Sequence, residues 1–312
     1  MKNEFHLIER LKSLIPRTLQ GRFGIGDDAA ILPAGRGKSF LFTTDAILEG
    51  IDFRIGDRMA PPEKIGRKAL AVNLSDIAAM GGRPTAFVTT FGIPQKFSGQ
   101  WIERVSKGII QLARRFQVQW VGGDMTKAKQ FFISIALLGE VETKKCVQRK
   151  GARPGNSIYV TGELGGSIHG KHLSFTPRLL EAQYLVNRFH PTSMIDISDG
   201  FIQDLEHLLA SSRVGAQIDL DRIPVSNAAL HQAGGAEKKA LQSALSDGED
   251  FELLFTLPLS EGGRLEKVWQ RKFRNVSLTR VGEINRSAGK IEWFKKREKI
   301  KLWFPKKGFS HF

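Results

Sequence analysis

The chain is poor in the residues that hold soft metals or staple a small fold. It has one cysteine, Cys146, in 312 residues. No internal disulfide can form, and a reducing, cytoplasmic setting is expected. The seven histidines are scattered and make no zinc-ligand spacing with that cysteine. No run approaches the ~20 consecutive apolar residues that cross a bilayer, so no membrane association is expected. Met1–Glu4 leads into a helical pattern and not an apolar targeting segment. A G-x-S-x-G nucleophile motif is absent. What remains is ordinary for a globular protein, 41% hydrophobic and 25% charged, and long enough for two domains.

Charge is plentiful but uneven. The net charge is +15, and residues 264–307 carry 15 Lys/Arg against four Glu, so +11 of it lies near the C-terminus. Clustered cations attract phosphate backbones or funnel small anions, and they also make plain solvated surfaces. No nucleic-acid-binding motif accompanies the cluster. The solvated surface is the preferred reading, and nucleic acid is not an expected partner.

Periodicity predicts helices over 4–14, 62–80, 100–116, 177–189 and 200–212. Pro61-Pro62 opens the second of them. Strands are expected near 39–44, 85–92, 130–141, 157–162, 193–197, 216–219, 251–256, 276–282 and 290–294. The turn-rich segment 151–156 marks the expected boundary between domains 1–150 and 151–312. Strands and helices mix without a parallel βα repeat. The fold class expected is therefore α+β, two mixed α/β-sandwich domains, and not a doubly wound sheet.

Acidic residues recur in glycine-rich or apolar settings. Gly24-Ile25-Gly26-Asp27-Asp28 puts two carboxylates side by side, a turn with a helix cap or a pair held by a cation. In Leu41-Phe42-Thr43-Thr44-Asp45, alternate residues share a strand face. Asn73 and Asp76 share a face of the apolar helix ALAVNLSDIAAMGG, where an unpaired carboxylate costs several kcal/mol. Metal binding is the preferred reading there, against an Asp bonded to backbone. Val121-Gly122-Gly123-Asp124 and Asp196-Ile197-Ser198-Asp199-Gly200 repeat the theme, the latter at a helix start suited to phosphate or to a simple cap. Asp247-Gly248-Glu249-Asp250 precedes a strand. Many carboxylates without a His/Cys cluster suit Mg²⁺ ions holding a polyphosphate. A near P-loop, Gly165 to Lys171, lacks the following Ser/Thr and is set aside.

These motifs resemble the thiamine-monophosphate kinase family. GIGDDAAIL, TTDAILEG, KALAVNLSDIAAMGG, VGGDMT, RKGARPGNSIYVTG, IDISDG, DGEDFELLFT and the terminal GFSHF occur in the family's order from about residue 4 onward. The wider superfamily includes aminoimidazole ribonucleotide synthetase, selenophosphate synthetase and a hydrogenase-maturation protein. The reactive cysteines of the last two are absent. The resemblance implies a homodimer formed through the N-terminal domains. It implies ATP and thiamine monophosphate as substrates, Mg²⁺ as cofactor, and direct in-line phosphoryl transfer with no protein nucleophile. Carried over by motif, Asp28, Thr43, Thr44, Asp45, Asp76, Asp124, Asp196 and Asp199 are the implied Mg²⁺ ligands. Gly123, Arg149 and Ser198 are implied to contact ATP, and Glu249 the thiamine end. Four positions depart from the family pattern. Asp52 stands on the substrate side where His is usual, Asp247 replaces Gly, Met125 replaces Thr, and Lys306 replaces an aromatic residue. The competing readings are another ATP-dependent member of the superfamily and a basic nucleic-acid-binding protein.

Overall fold

The computed structural model describes residues 4–16 and 25–304. Lys306 and the GFSHF segment lie outside the described residues. Two mixed sheets organise the chain, as the α+β expectation requires. Helix α1 (Glu4–Leu14) precedes strands β1 (Ala30–Gly35) and β2 (Lys38–Leu48), helix α2 (Pro62–Ala79), β3 (Arg83–Ile93), α3 (Gly99–Phe116), β4 (Gln119–Lys127) and β5 (Phe132–Glu142). The first sheet has five strands in the order β1-β2-β5-β3-β4. Only β3 and β4 pair in parallel, joined through α3.

The second half contains β6 (Asn156–Thr161), a one-turn helix α4 (Lys171–Ser174), α5 (Leu179–Arg188), β7 (Ser193–Asp196), α6 (Phe201–Ser212) and β8 (Gly215–Asp219). Then come α7 (Asn227–Gln232), α8 (Glu237–Ser246), β9 (Leu253–Pro258), α9 (Leu259–Lys272), β10 (Leu278–Asn285), β11 (Ile291–Lys295) and β12 (Glu298–Ile300). These strands form a seven-stranded sheet ordered β12-β11-β8-β10-β6-β9-β7, parallel only between β8 and β11. No helix among the described residues is long and apolar enough to cross a membrane.

The first sheet has two unlike faces. Along β2, Ser39, Leu41 and Thr43 are buried against α2, while Phe40 and Phe42 point outward. Leu32, Val88, Val121 and Met125 are exposed as well, leaving large apolar groups in water. Helix α2 is buried over most of its circumference because it packs on both halves. It lies on β2 and β5 and also meets α4, α5 and β7. Its hydrophobic cluster continues through Leu185 and Val186 to Phe255 and Trp269. A second cluster fills the far face of the seven-stranded sheet under α6 and α8.

Helices α2 and α3 approach backbone to backbone. A Cβ on Gly66 would sit 1.9 Å from the Val105 carbonyl oxygen, and one on Gly108 would sit 1.8 Å from that of Glu63. Only glycine fits at either position.

The expected elements are present, with shifted ends. The strand expected at 251–256 begins at Leu253, because Glu249 and Phe251 hold left-handed backbone angles, φ +56° and +50°. Helices α4, α7, α8 and α9 and strands β1 and β12 were not expected. The glycine pair Gly262-Gly263 breaks the helical pattern of α9, which buries Leu265 and Trp269 one turn apart.

Candidate active site

A cavity of about 150 Å³ opens where the two halves meet. The first half contributes Asp45, Asp52, Lys68, Val72 and Asp76, and the second contributes Asp196, Ser198, Asp199, Glu249 and Phe251. Beside it, one carboxylate oxygen from each of Asp28, Asp76 and Asp196 lies within 4.8 Å of the others. Three elements therefore bring one carboxylate each to a point: the turn before β1, helix α2, and the end of β7.

Local bonds fix each group. The Thr43 hydroxyl donates to Asp76 Oδ2 at 2.5 Å. Asn73, one turn before Asp76, accepts the Asp45 N–H at 3.1 Å. Ser75 donates to Asp196 Oδ2 at 2.6 Å, tying α2 to β7. Arg149, expected on ATP, grips Asp28 Oδ1 through its Nη2 at 2.6 Å, and its N–H donates to Asp27 at 3.1 Å. The loops after β7 and before β9 are zipped together by Glu249 N–H to Ser198 O and Phe251 N–H to Ile197 O. That pairing places Ser198, Asp199 and Glu249 on one rim. Gln203 donates to Asp199 at 3.0 Å.

The cluster is short of positive charge. Burial, then the charges of Asp45, Asp196 and Asp28, pushes Asp76 well above the usual carboxylate range. Burial and then Asp28 raise Asp196 to about 7, and burial raises Asp45 to about 6. Burial and the neighbouring Asp28 raise Asp27 to about 7. Asp28 Oδ2 is buried without a hydrogen-bond partner. Converging carboxylate oxygens with an orphaned acceptor and hydroxyl support fit a hard divalent cation such as Mg²⁺. A cation there would take the place of the protons that burial otherwise favours.

Not every expected residue joins this group. Thr44 lies one residue out of phase with Thr43 and Asp45, so β2 turns it to the exposed face. Asp124 and Gly123 are exposed on β4, and the row Ala46, Ser134, Thr90, Asp124 runs along that same outward face. Neither Thr44 nor Asp124 lines the cavity or joins the carboxylate triad. Asp52 lines the cavity, and its Oδ2 accepts the Leu48 N–H at 2.8 Å.

The near P-loop is spoken for. Asp250 accepts the Gly165 N–H, and Ser243 accepts that of Gly166. Lys171 bonds Glu252 at 3.0 Å, and Glu252 is also gripped by Arg178. Burial opposes ionisation of Glu252, but Lys171 and Arg178 outweigh it and hold the carboxyl below its ordinary value. The residue that sequence reasoning missed is Lys68. It is fully buried, donating to Glu249 Oε1 at 2.5 Å and to the Asp52 carbonyl at 3.0 Å. Its position in the apolar run KALAVNLSDIAA invites the burial argument applied to Asp76.

Known proteins share this construction. The family of AIR synthase related proteins, N-terminal domain, matches residues 26–141. Thiamine-monophosphate kinase of Rhodopirellula baltica is 38% identical, covering 92% of this chain and 90% of that protein. AaThiL complexed with AMPPCP and TMP superposes with a TM-score of 0.82 at 29% identity, covering 99% of this chain and 97% of that one. Thiamine-monophosphate kinase of Stenotrophomonas maltophilia gives 0.75 at 30% identity, with coverages of 95% and 98%. With the fold and nearly the full length in common, the chain belongs to the thiamine-monophosphate kinase family.

Proposed function

We propose that this protein transfers the γ-phosphoryl group of ATP to the phosphate of thiamine monophosphate, giving thiamine diphosphate and ADP. The observation that carries this reading is the convergence of Asp28, Asp76 and Asp196 beside a cavity shared by both halves. The similarity to a protein solved with AMPPCP and TMP supports the choice of substrates.

The transfer is direct. A phosphate oxygen of the acceptor bonds the γ-phosphorus in line, and ADP leaves with the electrons of the broken bond. Donor and acceptor are both anionic, and Mg²⁺ supplies the charge neutralisation and alignment they need. Asp28, Asp45, Asp76, Asp196 and Asp199 with Thr43 would hold several Mg²⁺ ions, and Thr44 and Asp124 are proposed as further ligands from the outer face. Ser198, Gly123 and Arg149 are assigned to ATP. Arg149 also orients Asp28. Glu249 and Asp52 receive the thiamine end. No side chain is asked to act as nucleophile. An acceptor phosphate is largely ionised near neutral pH, so no strong general base is needed.

The active unit is proposed to be a homodimer joined through the outward face of the first sheet, where Phe40, Phe42 and Val88 are exposed. The chain is assigned to the cytoplasm and divided at residues 150/151.

The test is to incubate protein, ATP, Mg²⁺ and thiamine monophosphate and separate the products. Thiamine diphosphate that disappears with chelator is expected. ATP binding without that product would move the assignment to another phosphorylated acceptor.

A further inference from the structure

Among the described residues, Lys68 is the one cation lining a cavity whose other walls, apart from Ser198, are acidic or apolar. Its side chain is 1% exposed, and a buried ammonium without a partner is strongly destabilising. Among the described residues its ion-pair partner is Glu249, at 2.5 Å. Asp52 gives Lys68 its carbonyl oxygen at 3.0 Å while its carboxylate turns to the Leu48 N–H. An ammonium has three N–H donors, and Glu249 and Asp52 take two.

The pair spans the two halves, from α2 to the loop before β9. That loop holds Glu249 at φ +56° and Phe251 at φ +50°, conformations that persist only where surroundings enforce them. A lock between halves does not require its atoms to line a cavity. These do.

We infer that Lys68 and Glu249 form an exchangeable ion pair that selects acceptors carrying both a cation and a phosphate. The acceptor's cationic ring takes Glu249, and its phosphate takes Lys68. This deepens the thiamine monophosphate reading and rests on it. After exchange both buried charges remain paired. An acceptor with only a phosphate strands Glu249, and one with only a cation strands Lys68. Each mismatch leaves a buried charge without a partner, which discriminates by exclusion as well as attraction. Lys68 is thus a specificity-determining residue, distinct from the carboxylates around the proposed metal.

The experiment measures kcat and KM separately for thiamine monophosphate and ATP, and calorimetric binding of thiamine and thiamine monophosphate. It compares wild type with Lys68→Met, Lys68→Arg and Glu249→Gln. Lys68→Met is expected to raise KM for thiamine monophosphate by roughly 30-fold or more, the scale for stranding one partner of a buried pair, with KM for ATP within about twofold. Lys68→Arg is expected to restore part of the loss. The preference for thiamine monophosphate over thiamine should shrink in Lys68→Met. Glu249→Gln leaves Lys68 in place and is expected to weaken thiamine and thiamine monophosphate alike. An unchanged preference in Lys68→Met would overturn the inference. So would parallel loss for both substrates with no recovery in Lys68→Arg, the mark of a structural lock. A wild-type protein inactive on thiamine monophosphate would instead sink the functional reading itself.

Discussion

At the scale of single residues, the site is governed by carboxylates that burial forces together. Asp76 sits at the centre, bonded by Thr43 and within reach of Asp28 and Asp196. Replacing Asp76 with Ala should lower turnover on the order of 10³-fold, as for other lost preorganised electrostatic groups. Full activity in that variant would remove the metal-holding role. The raised carboxyls also set a pH dependence. Asp27 and Asp196 reach about 7 and Asp45 about 6, against 3.8 when unfolded. Their protonation favours the metal-free fold below about pH 4, and this contribution fades as pH rises through 6 to 7. The thermal midpoint in chelator should therefore fall between about pH 5 and pH 8. Added Mg²⁺ should raise it more at the higher pH, because the metal then displaces fewer protons. A larger Mg²⁺ increment at the lower pH would contradict this.

Most of these residues were legible beforehand, since an Asp within an apolar helix or after a glycine pair is conspicuous. Lys68 was not, because a lysine is ordinarily read as solvated. The phase of β2 and β4 separates Thr43 and Asp45 from Thr44 and Asp124. That separation depends on strand register, which a motif quoted as a unit conceals.

At the scale of elements, backbone contact between α2 and α3 holds the helix that presents Lys68, Asn73 and Asp76. Gly108→Ala would drive a methyl into the Glu63 carbonyl. A loss of about 3 kcal/mol is expected, exceeding the ~1 kcal/mol returned by better helix propensity. Urea unfolding measures it, and a stabilised variant would refute the contact argument. The long helices and central strands were readable from period and length. Helix α7 escaped because it is only six residues long, and α9 because its glycine pair weakens a local preference that burial against the sheet overrides.

At the scale of the whole molecule, the outward face of the first sheet and the basic C-terminal segment compete for attention. The apolar face is the stronger pointer to a partner, since Phe42 and Val88 stand 45% and 41% exposed. Phe42→Glu should turn a dimer into a monomer by light scattering, while a wild-type monomer would refute the interface. The basic residues spread over α9 and β10 to β12, and none of them lines the acidic cavity. Two mixed sheets could be anticipated from the order of elements. Their strand order could not, because the pairing of β2 with β5 joins residues about a hundred apart.

Helix α2 belongs to neither half alone. Its one side completes the first sheet's core and its other side the core of the second. Neither half can therefore open like a hinged jaw without tearing hydrophobic surface from the same helix. The slowest amides to exchange with solvent should cluster along α2, and the two sheets should melt as one cooperative unit. Catalytic precision would then come from a shared wall held still, with motion confined to the side chains and loops at its rim.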